Sequence, residues 1–319
     1  IRDVADTPAE DKELIGTMDL DRHGRKDFVL KVIVRDLNRE TGSIVAMDVH
    51  NGAPGLPQDF LPMAQNGTPF FSDNIPPASE LKVRCERLAG RTLSVGHYVQ
   101  EFRLPPPVFS TSANTTVDME PDSVGTVTVS DDGTFTIKLA DEGFYHFRAD
   151  SASRGYTVFL MPDGFPLVHR PADMLPPLRY ITSMQEFDKI ATSQDLRKAI
   201  ESFWSGAFGD RERTRAGIRT FYGRVENANR HFSSYVEGWR TDRGMVHIIF
   251  GTPNTIHRGE RSETWIYGDG ASMMSLHFNF VKRDLPFTDN DLVLERDPVL
   301  KSAWYRNVES WRNGRVYQN

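Results

Sequence analysis

Proline limits this chain more than any other residue. Of its 19 prolines, 16 lie at or before Pro177, and none falls between Leu178 and Thr252. Proline removes a backbone donor and clashes with the preceding helical turn. A proline-dense stretch therefore cannot hold long helices, and a long proline-free one can, so the chain reads as two architectures joined. At 319 residues each half is large enough to bury a core of its own. All five tryptophans (Trp204, Trp239, Trp265, Trp304 and Trp311) lie in the second half. Charge changes at the same place, with 18 basic against 26 acidic residues in 1–182 and 20 against 18 in 183–319.

The first half reads as short strands. Alternation over Phe28–Leu37 and Ser43–Val49, around the turn at Asn38–Gly42, predicts a hairpin. Further runs at Leu81–Cys85, Thr92–Phe102, Gly125–Val129, Thr134–Leu139, Gly143–Arg148 and Gly155–Leu160 are separated by turn signals such as Asp131-Asp132-Gly133. Strands punctuated in this way point to an all-β, immunoglobulin-like sandwich over 28–161, after an N-terminal extension of 1–27. The insert from Asn51 to Pro77 has six prolines and is expected to be an ordered loop lying across one sheet. Residues 162–182 form a proline-rich connector. It carries Phe165, Leu167, Val168, Leu175, Leu178 and Tyr180, too much apolar surface for a free linker, so it is expected to be ordered along the boundary.

The second half, 183–319, reads as α+β, with helices packed on a three-stranded antiparallel meander and a closing C-terminal helix. Ser183 precedes Glu186 by three residues, as Thr192 precedes Asp195, a spacing that caps helix N-termini. Leu196, Ile200, Phe203 and Trp204 share a face of the second of these helices, which Gly206 and Gly209 should break. From Asp210 a longer helix places Ile218, Phe221, Val225, Ala228 and Phe232 on one stripe, and its other face is rich in arginine. Strands are expected at Met245–Phe250, Glu263–Tyr267 and Met274–Val281. Asp297-Pro298 then opens a last helix with Leu300, Trp304, Val308 and Trp311 on its apolar side, ended by Asn313-Gly314.

Composition narrows the class of function. The chain is 39% hydrophobic and 26% charged, and no stretch approaches the roughly 18 uncharged residues a membrane helix needs. A net charge of -6 argues against nucleic acid as partner, because affinity for phosphate backbones comes from Lys and Arg. The single cysteine, Cys85, excludes an internal disulfide framework and reads as a small core residue. Beginning at Ile1 suits a processed chain, with any signal peptide or lipid-bearing cysteine lying upstream.

The densest signal runs from Tyr222 to Pro253. Gly238, Trp239, Thr241 and Asp242, then Phe250-Gly251-Thr252-Pro253, Trp265-Ile266-Tyr267 and the ending around Trp311 resemble the GWxTD domain over about 178–319. The resemblance implies an exported bacterial envelope protein of the Bacteroidota type, preceded by a sandwich domain, and no established reaction. Leu276-His277-Phe278-Asn279-Phe280 with the two preceding motifs also resembles small outer-membrane assembly lipoproteins of the SmpA/OmlA type, which implies a binding module in a membrane-associated complex.

The same residues admit a structural account. Gly238 would permit a positive-φ turn, Thr241 and Asp242 would bond backbone donors ahead of the strand at Met245, and Trp239 would plug the joint. The alternative, a catalytic carboxylate at Asp242, lacks a second carboxylate or nucleophile at a telling spacing. His247, His257 and His277 lack the paired spacing of a metal site, and Asp289, Asp291 and Glu295 lack the glycine of a calcium loop. Arg211, Arg215, Arg219 and Arg230 are candidate contacts for acidic partners, the other reading being a solvated face. Ser123 and Ser151 follow aspartates in a pattern resembling O-glycosylation sites of exported Bacteroidota proteins. The expectation is a non-catalytic scaffold or accessory subunit of a cell-envelope complex. It would need no cofactor or metal, bind envelope proteins, and associate with the membrane through a partner or a lipid anchor. A carbohydrate-binding or carbohydrate-processing envelope protein is the alternative, and a hydrolase the third.

Overall fold

The structure is a computed structural model that describes residues 27–316 apart from 39–40, 51, 53, 65–66, 71–73, 78, 100–103, 112–119, 271 and 273–274. Residues 1–26 of the N-terminal extension, the end of the run reaching Phe102, and Met274 lie outside the described residues, and Asp27 already belongs to the first strand.

The predicted hairpin is present. β1 (Asp27–Asp36) and β2 (Thr41–His50) pair antiparallel with Asp27 opposite His50, and they form a two-stranded sheet of their own. β3 (Leu61–Met63), β4 (Asn74–Ile75), β5 (Glu80–Arg84), β6 (Thr92–Tyr98), β7 (Ser123–Thr128), β8 (Thr134–Lys138), β9 (Gly143–Arg148) and β10 (Tyr156–Leu160) follow. They build a five-stranded sheet in the order β4-β10-β9-β6-β7 and a three-stranded one in the order β3-β5-β8. Val83, Leu93, Phe135, Phe147 and Val158, drawn from both sheets, share one buried cluster with Cys85. The proline-rich insert gives more than a loop. It supplies β3 to the edge of one sheet and β4, parallel to β10, to the edge of the other. Edges are where proline is tolerated, since there a missing donor costs no ladder bond.

In the connector a short helix, α1 (Pro171–Met174), and a 3-10 turn at Pro176–Tyr180 bring Leu178, Tyr180 and Ile181 into the core of the second half. Leu167 departs from expectation and faces solvent. α2 (Met184–Ala191) has the reciprocal cap read from sequence: Glu186 N–H donates to Ser183 Oγ, and Ser183 N–H donates to Glu186 Oε2. In α3 (Leu196–Phe208) the cap is Asp195, whose carboxylate accepts from Lys198 N–H, while Thr192 instead ends α2. Gly206 lies inside α3, and Gly209, at φ +76°, is the residue that stops it. α4 (Arg211–Phe232) buries Phe221, Val225 and Ala228 as expected.

The expected strand at Met245–Phe250 is a helix, α5 (Asp242–Phe250). Its residues from Asp242 to Ile249 are all buried, so no polar face marks a helical period, and the β-branched run looks like a strand. The sheet is therefore not a three-stranded meander beginning at Met245. It has four antiparallel strands: β11 (Thr255–Arg258), β12 (Ser262–Tyr267), β13 (Leu276–Lys282) and β14 (Leu292–Leu294), in chain order. β11 is exposed along its length and β14 has three residues, so neither carries a strong alternation. A 3-10 turn at Pro298–Leu300, capped by Asp297, leads into α6 (Lys301–Arg312), which buries Ala303, Trp304 and Trp311. Trp265, Phe278 and Phe280 of the sheet share one core with Phe221 and Val225 of α4, Met245 and Ile248 of α5, and Trp304 and Trp311 of α6.

The halves meet in a third apolar cluster. Tyr98, Phe144, Phe159 and Met161 from the first half pack with Leu285 and Phe287, from the loop between β13 and β14, and with half-buried Phe165 and Tyr235. Phe144 lies 4.7 Å from the Tyr98 ring and 4.9 Å from that of Phe287. The stretch 104–109 makes a second crossing: Val108 is fully buried in the core of the second half, and Asp297 N–H donates to its carbonyl at 3.1 Å.

Candidate functional site

The motif residues collect at the two ends of α5. At its N-terminus Gly238, Trp239 and Arg240 form a 3-10 turn wedged between α4 and α5. Gly238 is not at positive φ, contrary to expectation; it is glycine for lack of space. A Cβ there would lie 1.8 Å from the Ala228 carbonyl oxygen, and one at Gly244 would lie 1.9 Å from the Gly238 carbonyl oxygen. Two glycines thus let three backbone segments touch. Thr241 caps α5: Gly244 N–H donates to its Oγ1 at 3.0 Å, and that hydroxyl donates to the Gly238 carbonyl at 2.8 Å. Trp239 is buried, as a plug requires. Its N–H donates to Asn229 Oδ1, its carbonyl accepts from the Tyr180 hydroxyl at 2.9 Å, and the Tyr180 ring meets the indole edge-on.

Asp242 is 7% exposed and engaged through both oxygens. Leu294 N–H, at the end of β14, donates to Oδ2 at 2.8 Å, and the Arg296 guanidinium donates to both carboxylate oxygens. Burial works to raise this carboxyl, and Arg296 works against that. Arg296 also donates to the Pro106 carbonyl at 3.1 and 3.2 Å. One buried guanidinium therefore joins the motif aspartate to the stretch that crosses from the first half. The donors anticipated around Asp242 are thus those of β14 and Arg296, and a helix rather than a strand follows it.

The second group gathers at the C-terminus of α5. Gly251, at φ +85°, closes the helix, and a Cβ on it would lie 2.8 Å from Arg224 Nη2. Arg224 reaches from α4 to donate to the Ile248 and Ile249 carbonyls at 3.0 and 3.4 Å, and its guanidinium lies 5.1 Å from the Trp311 ring. A cation there suits the partial negative charge of a helix C-terminus. The Tyr267 hydroxyl donates to the Gly251 carbonyl at 2.8 Å, and Trp311 Nε1 donates to the Ile249 carbonyl at 3.3 Å. Pro253 follows the bend before β11, in the position of a helix stop. On the side of α5, buried Arg243 pairs with Glu263 at 3.3 Å, and Trp265 Nε1 donates to the same carboxylate at 3.0 Å.

The remaining candidates lie apart from these two ends. Arg211, Arg215, Arg219 and Arg230 are exposed along α4, with Arg215 paired to Glu212. Ser123, at the start of β7, and Ser151, in a turn, are exposed. His247 is buried in α5, whereas His257 and His277 are exposed on β11 and β13, so the three are not brought together. Asp289 pairs with Arg154 and Lys282, and Asp291 with Arg283. Sequence reading missed Arg296, Arg243, Glu263 and Gly244. Gly244 carried a legible signal, following Asp242 by two residues in the same dense run. Arg296 carried none, being 54 residues from its partner aspartate and 190 from Pro106.

In comparison with known families, the model of the GWxTD domain matches residues 143–313. The match begins in β9, so it takes in Phe144, Phe159 and Met161 of the apolar cluster between the halves as well as the helical half. No curated protein and no solved structure gives a match.

Proposed function

The chain belongs to the GWxTD-domain family, and from that premise we propose that it is a non-catalytic scaffold or accessory subunit of a bacterial cell-envelope complex. It is exported to the periplasm or outer membrane, where it binds partner proteins and is held at the membrane by one of them or by a lipid anchor. Its strand-rich half is an immunoglobulin-like sandwich. One observation carries the proposal: the side chains of the family motif are spent on joining segments of the chain to one another. Asp242 and Arg296 tie α5 to the stretch from the first half, and an aromatic cluster backs the joint. A pair of halves fixed in this way binds partners without giving up the entropy of interdomain motion. The carbohydrate-binding alternative has less support, because all five tryptophans are buried and none offers a face to a sugar ring.

Gentle extraction of tagged protein from native membranes, followed by mass spectrometry, tests this. A reproducible set of envelope proteins in near-stoichiometric amounts is expected. Recovery of the protein alone, or only from the cytosolic fraction, would overturn the proposal.

A further inference from the structure

We propose that the groove between residues 104–107, residues 179–184 and α6 docks an acidic segment of a partner protein, a proposal that rests on the scaffold reading above. The groove encloses about 1400 Å³. One wall is the proline-rich stretch crossing from the first half, the other is the turn leading into α2, and α6 lies between them. The site thus exists only where the two halves meet.

Charge selects the occupant. The lining holds four arginines, Arg179, Arg306, Arg312 and Arg315, against one acid, Glu309, on a chain whose net charge is -6. Two of the four are already engaged and stiffen the wall. Arg179 donates to the Thr182 carbonyl, and Arg312 forks onto the Glu186 carboxylate at 2.7 and 2.8 Å. Arg306 and Arg315 are exposed, and among the described residues their guanidinium groups have no hydrogen-bond or ion-pair partner. Between these cations Met184 is 58% exposed and Tyr305 54%. Free guanidinium groups beside exposed apolar side chains match a segment bearing carboxylates and large apolar residues together, each carboxylate taking a charge-assisted bond. Pro105 and Pro107 give their wall no N–H with which to extend a sheet, so side chains rather than strand pairing do the holding.

The probe is a short fluorescein-labelled peptide alternating Asp and Glu with Leu and Phe, compared by anisotropy with its Asn and Gln counterpart. The acidic peptide should bind, and the neutral one should bind at least about ten-fold more weakly. Arg306→Glu with Arg315→Glu should cost a similar factor or more while leaving the melting temperature unchanged, since both residues are exposed. Tyr305→Ala should weaken binding with the charges intact. Absence of binding, equal binding of the two peptides, or an unaffected double variant would each overturn the proposal. So would sedimentation showing self-association that the double variant abolishes, which would make a second copy the occupant. If the peptide fails while wild-type protein still recovers its envelope partners from membranes, the groove is wrong and the scaffold reading stands.

Discussion

At the scale of single residues, the family motif is a set of close approaches and one buried ion pair. Gly238→Ala would drive a methyl group into the Ala228 carbonyl, so it should cost more than about 3 kcal/mol, well above a surface change. A small shift in the denaturation midpoint would count against this packing. Asp242→Ala would strand the buried Arg296 guanidinium at a cost of about 3 to 5 kcal/mol, and Asp242→Ala with Arg296→Met should cost less than the sum of the two. Additive costs would show that the pair is not coupled. The buried histidines set a pH limit. Burial pushes both His146 and His247 down to about 4, and Nε2 of each has no acceptor for a second proton among the described residues. In the unfolded chain both bind protons near pH 6.5, so between there and about 4 the unfolded state holds more protons. Stability should thus be complete above pH 6.5, fall as pH drops towards 4 by about 3 kcal/mol per histidine, and lose no more to these groups below that. His146→Gln should flatten its share of the slope, and an unchanged slope would remove His146 from the account.

Among the elements, α5 shows what a sequence can and cannot disclose. The stripe of α4, the cap at Ser183 and the β1–β2 hairpin were legible because each is a local pattern: one buried face along a helix, a hydroxyl three residues before a carboxylate, and alternation on either side of a turn. α5 has no wet side, and Val246, Ile248 and Ile249 favour strands when nothing marks a helical period. Thr241 before it was a cap signal, but a β-branched run followed. The connector was legible by composition alone. Its apolar residues foretold burial, and its fold supplies the bonds: Val168 N–H donates to Glu226 Oε1 at 3.0 Å, and Ile181 N–H to the Leu178 carbonyl at 3.0 Å. Hydrogen exchange should therefore find Val168, Leu178 and Ile181 slow in the isolated protein. Rapid exchange at all three would mean a tether rather than a strut.

For the whole molecule the decisive contacts are those that no local pattern shows. Arg296 meets a carbonyl 190 residues away, and Phe144 of β9 meets Phe287 of the loop between β13 and β14. Such contacts join two halves that composition distinguishes cleanly, and the prediction is that the halves behave as one rigid body. The chain carries its own probes for that claim: every tryptophan lies in the second half, and the single cysteine, buried Cys85, lies in the core of the first. Unfolding in denaturant can be followed on one sample by tryptophan fluorescence and by labelling of the Cys85 thiol. The two transitions should coincide in midpoint and steepness, as they do when one cooperative unit opens. If the thiol is exposed at a denaturant concentration where the tryptophans are still native, or the reverse, the halves are independent and the rigid scaffold is refuted.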